Sequence, residues 1–335
     1  MQGQRDHAPA SRILGTGHYL PAKVVTNRDL ESRMETSDEW ISTRTGIRQR
    51  HVAEPTEAAS DLATKAAQRA LEAAQISATQ LDMIIVGTIS GDMPMPSTAM
   101  FVQRNLGARN DCPGFDLSAA CAGFIYGLSI GDSFIRNGVA KHVLVIGVEL
   151  LSRLVNWGDR SSAVLFGDGA GAVVLGPATG DGRGILSTHL FADSSKIESL
   201  WIPGGGSRTP PSEQMLKANQ HLVHMVGKDI FRAAVRRLTE ASQIALAHNA
   251  IAPAQVDWVI PHQANIRILD AVQERLEIPK ERFFVNIDQT ANTSSASVPI
   301  ALDQAVRAGK VSSGQLLLFC ALGGGIAWGS AMVRL

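Results

Sequence analysis

Two kinds of hydrophobic pattern alternate along the chain. Short, continuously apolar, β-branched runs such as MIIVGT (Met83–Thr88) and HVLVIGV (His142–Val148) read as buried strands. Between them lie longer segments with apolar residues three and four apart. Asp61–Ala74 (DLATKAAQRALEAA) and Asn265–Leu276 (NIRILDAVQERL) show this spacing, which predicts amphipathic helices. Strand and helix in alternation, with strands apolar on both faces, predict an α/β fold whose sheets are covered on each side. Pro203–Glu213 (PGGGSRTPPSE) is the one long loop expected, because turn-forming residues crowd it.

The pattern also repeats. ALEAAQISATQLDMIIV from Ala70 and ALAHNAIAPAQVDWVIP from Ala245 both read as helix, turn and buried strand, at an offset of 175 residues. A second pair, starting at Phe115 and Val285, aligns Asp132 with Asp303, Arg136 with Arg307 and Gly138 with Gly309 at an offset of 171. The matches keep their order, so two similar α/β units packed together are expected. The division predicted is an N-terminal extension over 1–12, a first half over 13–178 and a second half over 179–335. In this register Cys121 and Asn292 occupy equivalent places, each between a strand and a helix. His262 follows the strand that matches Met83–Gly87. All three fall at strand C-terminal ends, where α/β sheets carry their sites.

Composition narrows the function. The 335 residues hold 31 Lys+Arg and 31 Asp+Glu, a formal net charge of +0, which argues against a nucleic-acid partner. The 3 cysteines, none in a CxxC pair, exclude a disulfide framework and a cysteine zinc site, and they imply a reducing compartment. The apolar stretches Val143–Leu151 and Leu316–Leu322 are too short to span a bilayer, and Met1–Ser11 lacks the apolar segment of a signal peptide. A soluble cytoplasmic protein is the expectation.

Cys121 lies in SAACAGFIYGLSIGDSFIRNG, where an apolar strand gives way to small residues and then to a helical pattern. A thiol at a helix start faces unpaired N–H groups and the positive end of the dipole, and both favour the reactive thiolate. Cys112, before Pro113, and Cys320, inside QLLLFCAL, read as structural. His262 sits where VDWVIP ends and a helix begins. Asn292, in QTANTSSAS, reads as a turn residue or cap until the repeat register aligns it with Cys121. His221 and His224 share a helical face in this reading but lack a third ligand, so no metal is expected. The glycines of Gly167–Gly171 (GDGAG) and Gly323–Gly325 lead into strand-like residues rather than a helix, so they do not read as a phosphate loop. Close backbone approach, or a bare N–H offered to a substrate, fits them better. Arg44, Arg48 and Arg50 read on their own as a solvated basic edge.

SAACAGF, GDGAGAVVL, PHQAN, NTSSAS and GGGIAWGSAMV follow one another in this order. Together they resemble the β-ketoacyl-acyl carrier protein synthases of the third class, condensing enzymes of the thiolase fold. ILGTGHYLP and TSDEWISTRTGIRQRH extend the likeness from about residue 13 to the C-terminus. The resemblance implies a thiolase-like fold, two duplicated α/β halves in a five-layered αβαβα core, and a homodimer. It implies Cys121, His262 and Asn292 as catalytic residues, with backbone N–H groups of Cys121 and Gly324 as an oxyanion hole. It implies acyl-CoA and malonyl-acyl carrier protein as substrates and no metal or other cofactor.

The same resemblance implies that Trp40, Arg44 and Arg160 bind CoA. It puts carrier docking at Gln263, Ala264, Asn265, Ile266 and Arg267, with Arg232 and Arg275 as further candidates. Met95 and Leu322 stand where an aromatic residue is frequent around the acyl pocket, so primers longer than acetyl are expected. A relative serving specialised metabolism with the same three residues, a non-catalytic assembly subunit and a cysteine hydrolase are the competing readings.

Overall fold

The computed structural model describes residues 9–335. The first half supplies strands β1 (Ser11–Tyr19), β2 (Lys23–Thr26), β3 (Gln49–Val52), β4 (Met83–Gly87), β5 (Gly114–Leu117), β6 (Val143–Leu150) and β7 (Asp168–Pro177). The second supplies β8 (Gly184–Ala192), β9 (Leu200–Trp201), β10 (His224–Met225), β11 (Trp258–Pro261), β12 (Leu316–Gly323) and β13 (Ala327–Arg334). One main sheet has the order β1-β7-β6-β4-β5, and the other has β8-β13-β12-β11.

The two sheets repeat one plan. In each, the outer strands run antiparallel (β1/β7/β6 and β8/β13/β12) and a parallel pair follows (β6/β4 and β12/β11). The first sheet continues with β5, parallel to β4. The second replaces that strand with a single parallel bridge between Val259 and Phe283. The sequence repeat is therefore a repeat of strand order.

Helices fill three layers around these sheets. Ala59–Ala74 and Thr98–Leu106 pack Leu62, Ala66, Ala70 and Val102 on the outer face of the first sheet. Gly227–His248 and Ile266–Leu276 pack Val235, Leu238, Ile268 and Val272 on the outer face of the second. Between the sheets run Gly123–Arg136 and Ser297–Arg307, whose Phe124, Ile125, Leu128, Ala301 and Leu302 form one core with both. These central helices are buried on most sides except at their C-terminal turns, where Ser133, Arg136 and Arg307 are exposed, as expected of helices inside a larger core. GDGAG has a packing role here. A Cβ on Gly171 would lie 2.6 Å from the Ile300 nitrogen, so the bare backbone lets helix Ser297–Arg307 rest directly on β7.

Several sequence boundaries shift. Residues 1–8 of the expected extension lie outside the described residues, and β1 already begins at Ser11. Its hydroxyl is buried and donates to Asp132 at 2.7 Å, which ties the strand end to a central helix. His221 lies in a turn and His224 in β10, so they share no helical face. Arg50 is fully buried rather than part of a solvated edge. Its guanidinium donates to Val25 O, Asn27 Oδ1 and Val164 O, and burial pulls its pKa down to about 10. Three of its N–H groups are taken up in this way, which offsets the cost of burying the charge, while Nε is buried without a partner. No helix of the described residues is long and apolar enough to cross a membrane.

Candidate active site

Cys121, His262 and Asn292 come from three separate turns and line one cavity of about 130 Å³. Cys121 lies in a one-turn 3₁₀ segment, Ala120–Ala122, that leads straight into helix Gly123–Arg136. His262 follows β11, held by its N–H donating to Cys320 O at 2.8 Å. Asn292 precedes the matching 3₁₀ turn Ser294–Ala296. Its N–H donates to Leu165 O, and its C=O accepts from Gly167 N. The Ser294 N–H donates to Asn292 Oδ1 at 2.9 Å. That bond takes up the oxygen and leaves the amide NH₂ for the cavity.

A larger cavity of about 510 Å³ also borders Cys121. Its walls include Leu151, Leu200, Trp201, Ile202 and Val223, and Cys121 and Gly324 both border it. Cys121, Phe166 and Leu200 line both cavities. Gly323 holds the two parts together. A Cβ there would stand 2.5 Å from the Cys121 nitrogen, so only glycine lets β12 lie against the backbone of the thiol.

Burial dominates the electrostatics. It pushes the Cys121 thiol up to about 12, against hydrogen bonds from Ser294 and from its own backbone N–H that favour the thiolate. The helix start was expected to ionise this thiol, but the helix start is dry, so the resting group is protonated. Burial likewise pulls His262 down to about 3, which keeps the imidazole neutral. Its Nδ1 is buried without a partner, so no carboxylate orients it as in a cysteine hydrolase. A neutral imidazole and a carboxamide on one cavity are two uncharged N–H donors, suited to an oxyanion. Cys320 is raised to about 12 by burial and lies in β12, away from both cavities.

The other predicted residues separate into groups. Trp40 and Arg44 share helix Asp38–Thr45, and the guanidiniums of Arg44 and Arg160 lie 4.7 and 4.8 Å from the indole centroid. Arg267 is exposed at the start of helix Ile266–Leu276, which Asn265 caps, and Ala264 and Asn265 border the smaller cavity. Gln263 is fully buried. Its amide donates to Pro261 O and Phe284 O and accepts from Asn286 N, leaving no polar atom for a docking partner. Leu322 lines the smaller cavity beside His262, while Met95 is 83% exposed and borders neither. Sequence reasoning missed Phe166 at the junction of the cavities and Glu149 behind Ser294. The signal for Glu149 was a lone charge at the end of the apolar run VLVIGVEL.

Family models match two segments of the chain. 3-Oxoacyl-[acyl-carrier-protein (ACP)] synthase III matches residues 115–194, and the C-terminal model of the same enzyme matches 246–335. A beta-ketoacyl-[acyl-carrier-protein] synthase III from Caldanaerobacter subterraneus subsp. tengcongensis is 48% identical over 325 residues, 97% of this chain and 98% of that one. The chain belongs to the β-ketoacyl-acyl carrier protein synthase III family. A synthase III from Xanthomonas campestris pv. campestris is 51% identical over 324 residues, covering 97% of this chain and 98% of its own. The crystal structure of the Aquifex aeolicus synthase III superposes with a TM-score of 0.90 at 47% identity, covering 97% of this chain and all of that one. The fold is thus the thiolase-like fold of the synthase III family, and the protein is a condensing enzyme of the acyltransferase type.

Proposed function

We propose that this enzyme starts fatty-acid synthesis by joining an acyl group from acyl-CoA to a malonyl unit carried on acyl carrier protein. The observation that carries this reading is the convergence of one thiol and two neutral donors, Cys121, His262 and Asn292, on a single cavity. The Cys121 sulfur attacks the thioester carbonyl of acyl-CoA, the C–S bond to CoA breaks, and the acyl group stays on the enzyme. The N–H groups of Cys121 and Gly324 receive the oxyanion of that step, and each such donor is worth roughly 3 kcal/mol. Malonyl thioester then loses CO₂ while His262 and Asn292 donate to its carbonyl oxygen. The resulting carbanion attacks the acyl-cysteine, giving 3-oxoacyl-acyl carrier protein and the free thiol. Neutral N–H donors carry the negative charge in both steps, so the scheme calls for no metal or prosthetic group.

Adenine stacks on Trp40 in this reading, with Arg44 and Arg160 already over the indole to hold the base and its phosphates. Arg267, with Arg232 and Arg275 nearby on exposed helix faces, receives the acidic carrier protein. The exposed Met93, Met95 and Met100 support a homodimer, in which Met95 reaches the acyl pocket of the partner. The protein works in the cytoplasm. Relatives near half identity along the whole chain carry the synthase III name, so a role in specialised metabolism is not favoured.

Intact-protein mass spectrometry after incubation with a panel of acyl-CoAs tests the reading. A mass gain of one acyl group is expected. A chain that takes no acyl group from any member would overturn it, and sedimentation as a monomer at micromolar concentration would overturn the dimer.

A further inference from the structure

Glu149 ends β6 with its side chain inside the protein and no exposed surface. The groups facing its carboxylate are uncharged: the N–H of Ile89 and the hydroxyls of Thr88, Ser90, Ser294 and Ser295, at 2.5 to 3.3 Å. Two strand ends and the turn after Asn292 thus converge on one buried acid. Ser294 is the member that leads to the site. Its hydroxyl donates to Glu149 Oε1 at 3.1 Å, and it borders the larger cavity together with Cys121. Its backbone N–H holds Asn292 Oδ1.

The reaction needs an acceptor in this place. Cys121 rests as a thiol, and His262 is too weak a base to take its proton. We propose that Ser294 and Glu149 form the route by which Cys121 loses and regains its proton. The proposal rests on the reading of Cys121 as the acylated nucleophile. As the sulfur bonds to the acyl carbon, its proton passes to Ser294 Oγ while the Ser294 proton passes to the Glu149 carboxylate. CoA leaves as thiolate and takes a proton from water. When the malonyl-derived carbanion later displaces the cysteine as thiolate, the proton stored on Glu149 returns to the sulfur through Ser294. One solvent proton is consumed per turnover, the one bound by departing CoA.

Burial raises Glu149 to about 7, so this acid exchanges its proton in the neutral range. Ser294 shares the cavity wall with the thiol, and Glu149 acts through it as a positioning and proton-holding residue.

The test is single-turnover acylation of Glu149→Gln and Ser294→Ala by acetyl-CoA, read by quenched mass spectrometry from pH 6 to 8, with thermal unfolding as a check of folding. Acylation about a hundredfold slower in both variants is expected. The unaltered protein should acylate faster as pH rises through 7, and that rise should flatten in Glu149→Gln. Acylation within about threefold of the unaltered protein would overturn the proposal. So would a slowed rate that keeps the same pH profile, because that marks a purely structural role. If Glu149→Gln does not fold, Ser294→Ala decides alone, since it leaves the carboxylate its other four partners. Absence of acylation in the unaltered protein would instead overturn the nucleophile reading, and this proposal with it.

Discussion

Ala120 and Ala291 share a left-handed backbone, at φ 44° and 55°, each one residue ahead of a site residue, Cys121 and Asn292. Their separation equals the 171-residue offset of the sequence repeat. A non-glycine residue in this region costs on the order of 1–3 kcal/mol and persists only where its surroundings determine it. Both halves thus place a positive-φ alanine at or just ahead of the turn that leads into a central helix. One turn leads to the proposed nucleophile, Cys121, and the other to a proposed hydrogen-bond donor, Asn292.

The thiol assignment separates three cysteines that share burial but not position. Cys121→Ala should abolish acyl-enzyme formation, whereas Cys112→Ala and Cys320→Ala should retain it. Mass spectrometry of the three variants with one acyl-CoA is sufficient, and an acyl adduct on the Cys121 variant would refute the assignment.

His262→Ala and Asn292→Ala should lower malonyl decarboxylation by about a hundredfold or more each, the usual cost of an oxyanion donor. Acylation of Cys121 should persist in both, since neither residue is asked to take the thiol proton. Release of CO₂ at the normal rate from both variants would remove the two-donor account.

Acid should destabilise the protein through His262. Its folded pKa of about 3 lies below the unfolded value of about 6.5, so the unfolded chain binds the extra proton and stability falls as pH drops through this window. From pH 7 to 5 the loss is about 2 kcal/mol. Glu149 works in the opposite sense: raised to about 7, it contributes stability that is present below its unfolded value and is lost as pH rises through 7. Urea unfolding of the protein and of His262→Gln at both pH values isolates the histidine. The variant should lose less on acidification, and equal losses would contradict the buried neutral imidazole.

Gly323→Ala puts a methyl group 2.5 Å from the Cys121 nitrogen and 2.9 Å from Ala120 Cβ. Overpacking of this kind costs about 1–3 kcal/mol. The acylation rate should fall at least tenfold as the nucleophile is displaced. Full activity, with an unchanged melting temperature, would show that the two turns are not in contact.

Much of the fold was legible because buried strands and amphipathic helices leave different periods in the chain. The repeat carried further than periodicity alone, pairing Cys121 with Asn292 across the two halves. What escaped were relationships set by depth rather than order. GFIYGLSIGDSFIR reads as a helix, yet nothing local says that its first turn is dry enough to keep a thiol protonated. Gln263 sits in a motif beside a binding residue, but its amide closes a backbone gap and never reaches the surface. Glu149 went unread because its neutral partners, Ser90 and Ser294, are 59 and 145 residues away in the chain.

Primer choice follows from the cavity of about 510 Å³ that borders Cys121, walled by Leu151, Leu200, Trp201, Ile202 and Val223. Each methylene buried there gains about 0.8 kcal/mol. Butyryl to medium-chain primers should therefore react at least as well as acetyl. Competition between acetyl-CoA and octanoyl-CoA measures this directly. Exclusive acetyl transfer, unchanged in Met95→Phe, would show that neither the cavity nor this methionine sets chain length.

The smaller cavity has Cys121, His262 and Asn292 on its walls, and in the proposed reaction it receives the thioester end of each substrate. CoA and the carrier protein present the same kind of pantetheine arm, and a cavity of about 130 Å³ holds one arm at a time. The two substrates must then visit in turn, the first product leaving before the second thioester arrives. Initial rates should follow ping-pong kinetics, with parallel double-reciprocal lines, and an excess of either thioester should inhibit by occupying the form of the enzyme meant for the other.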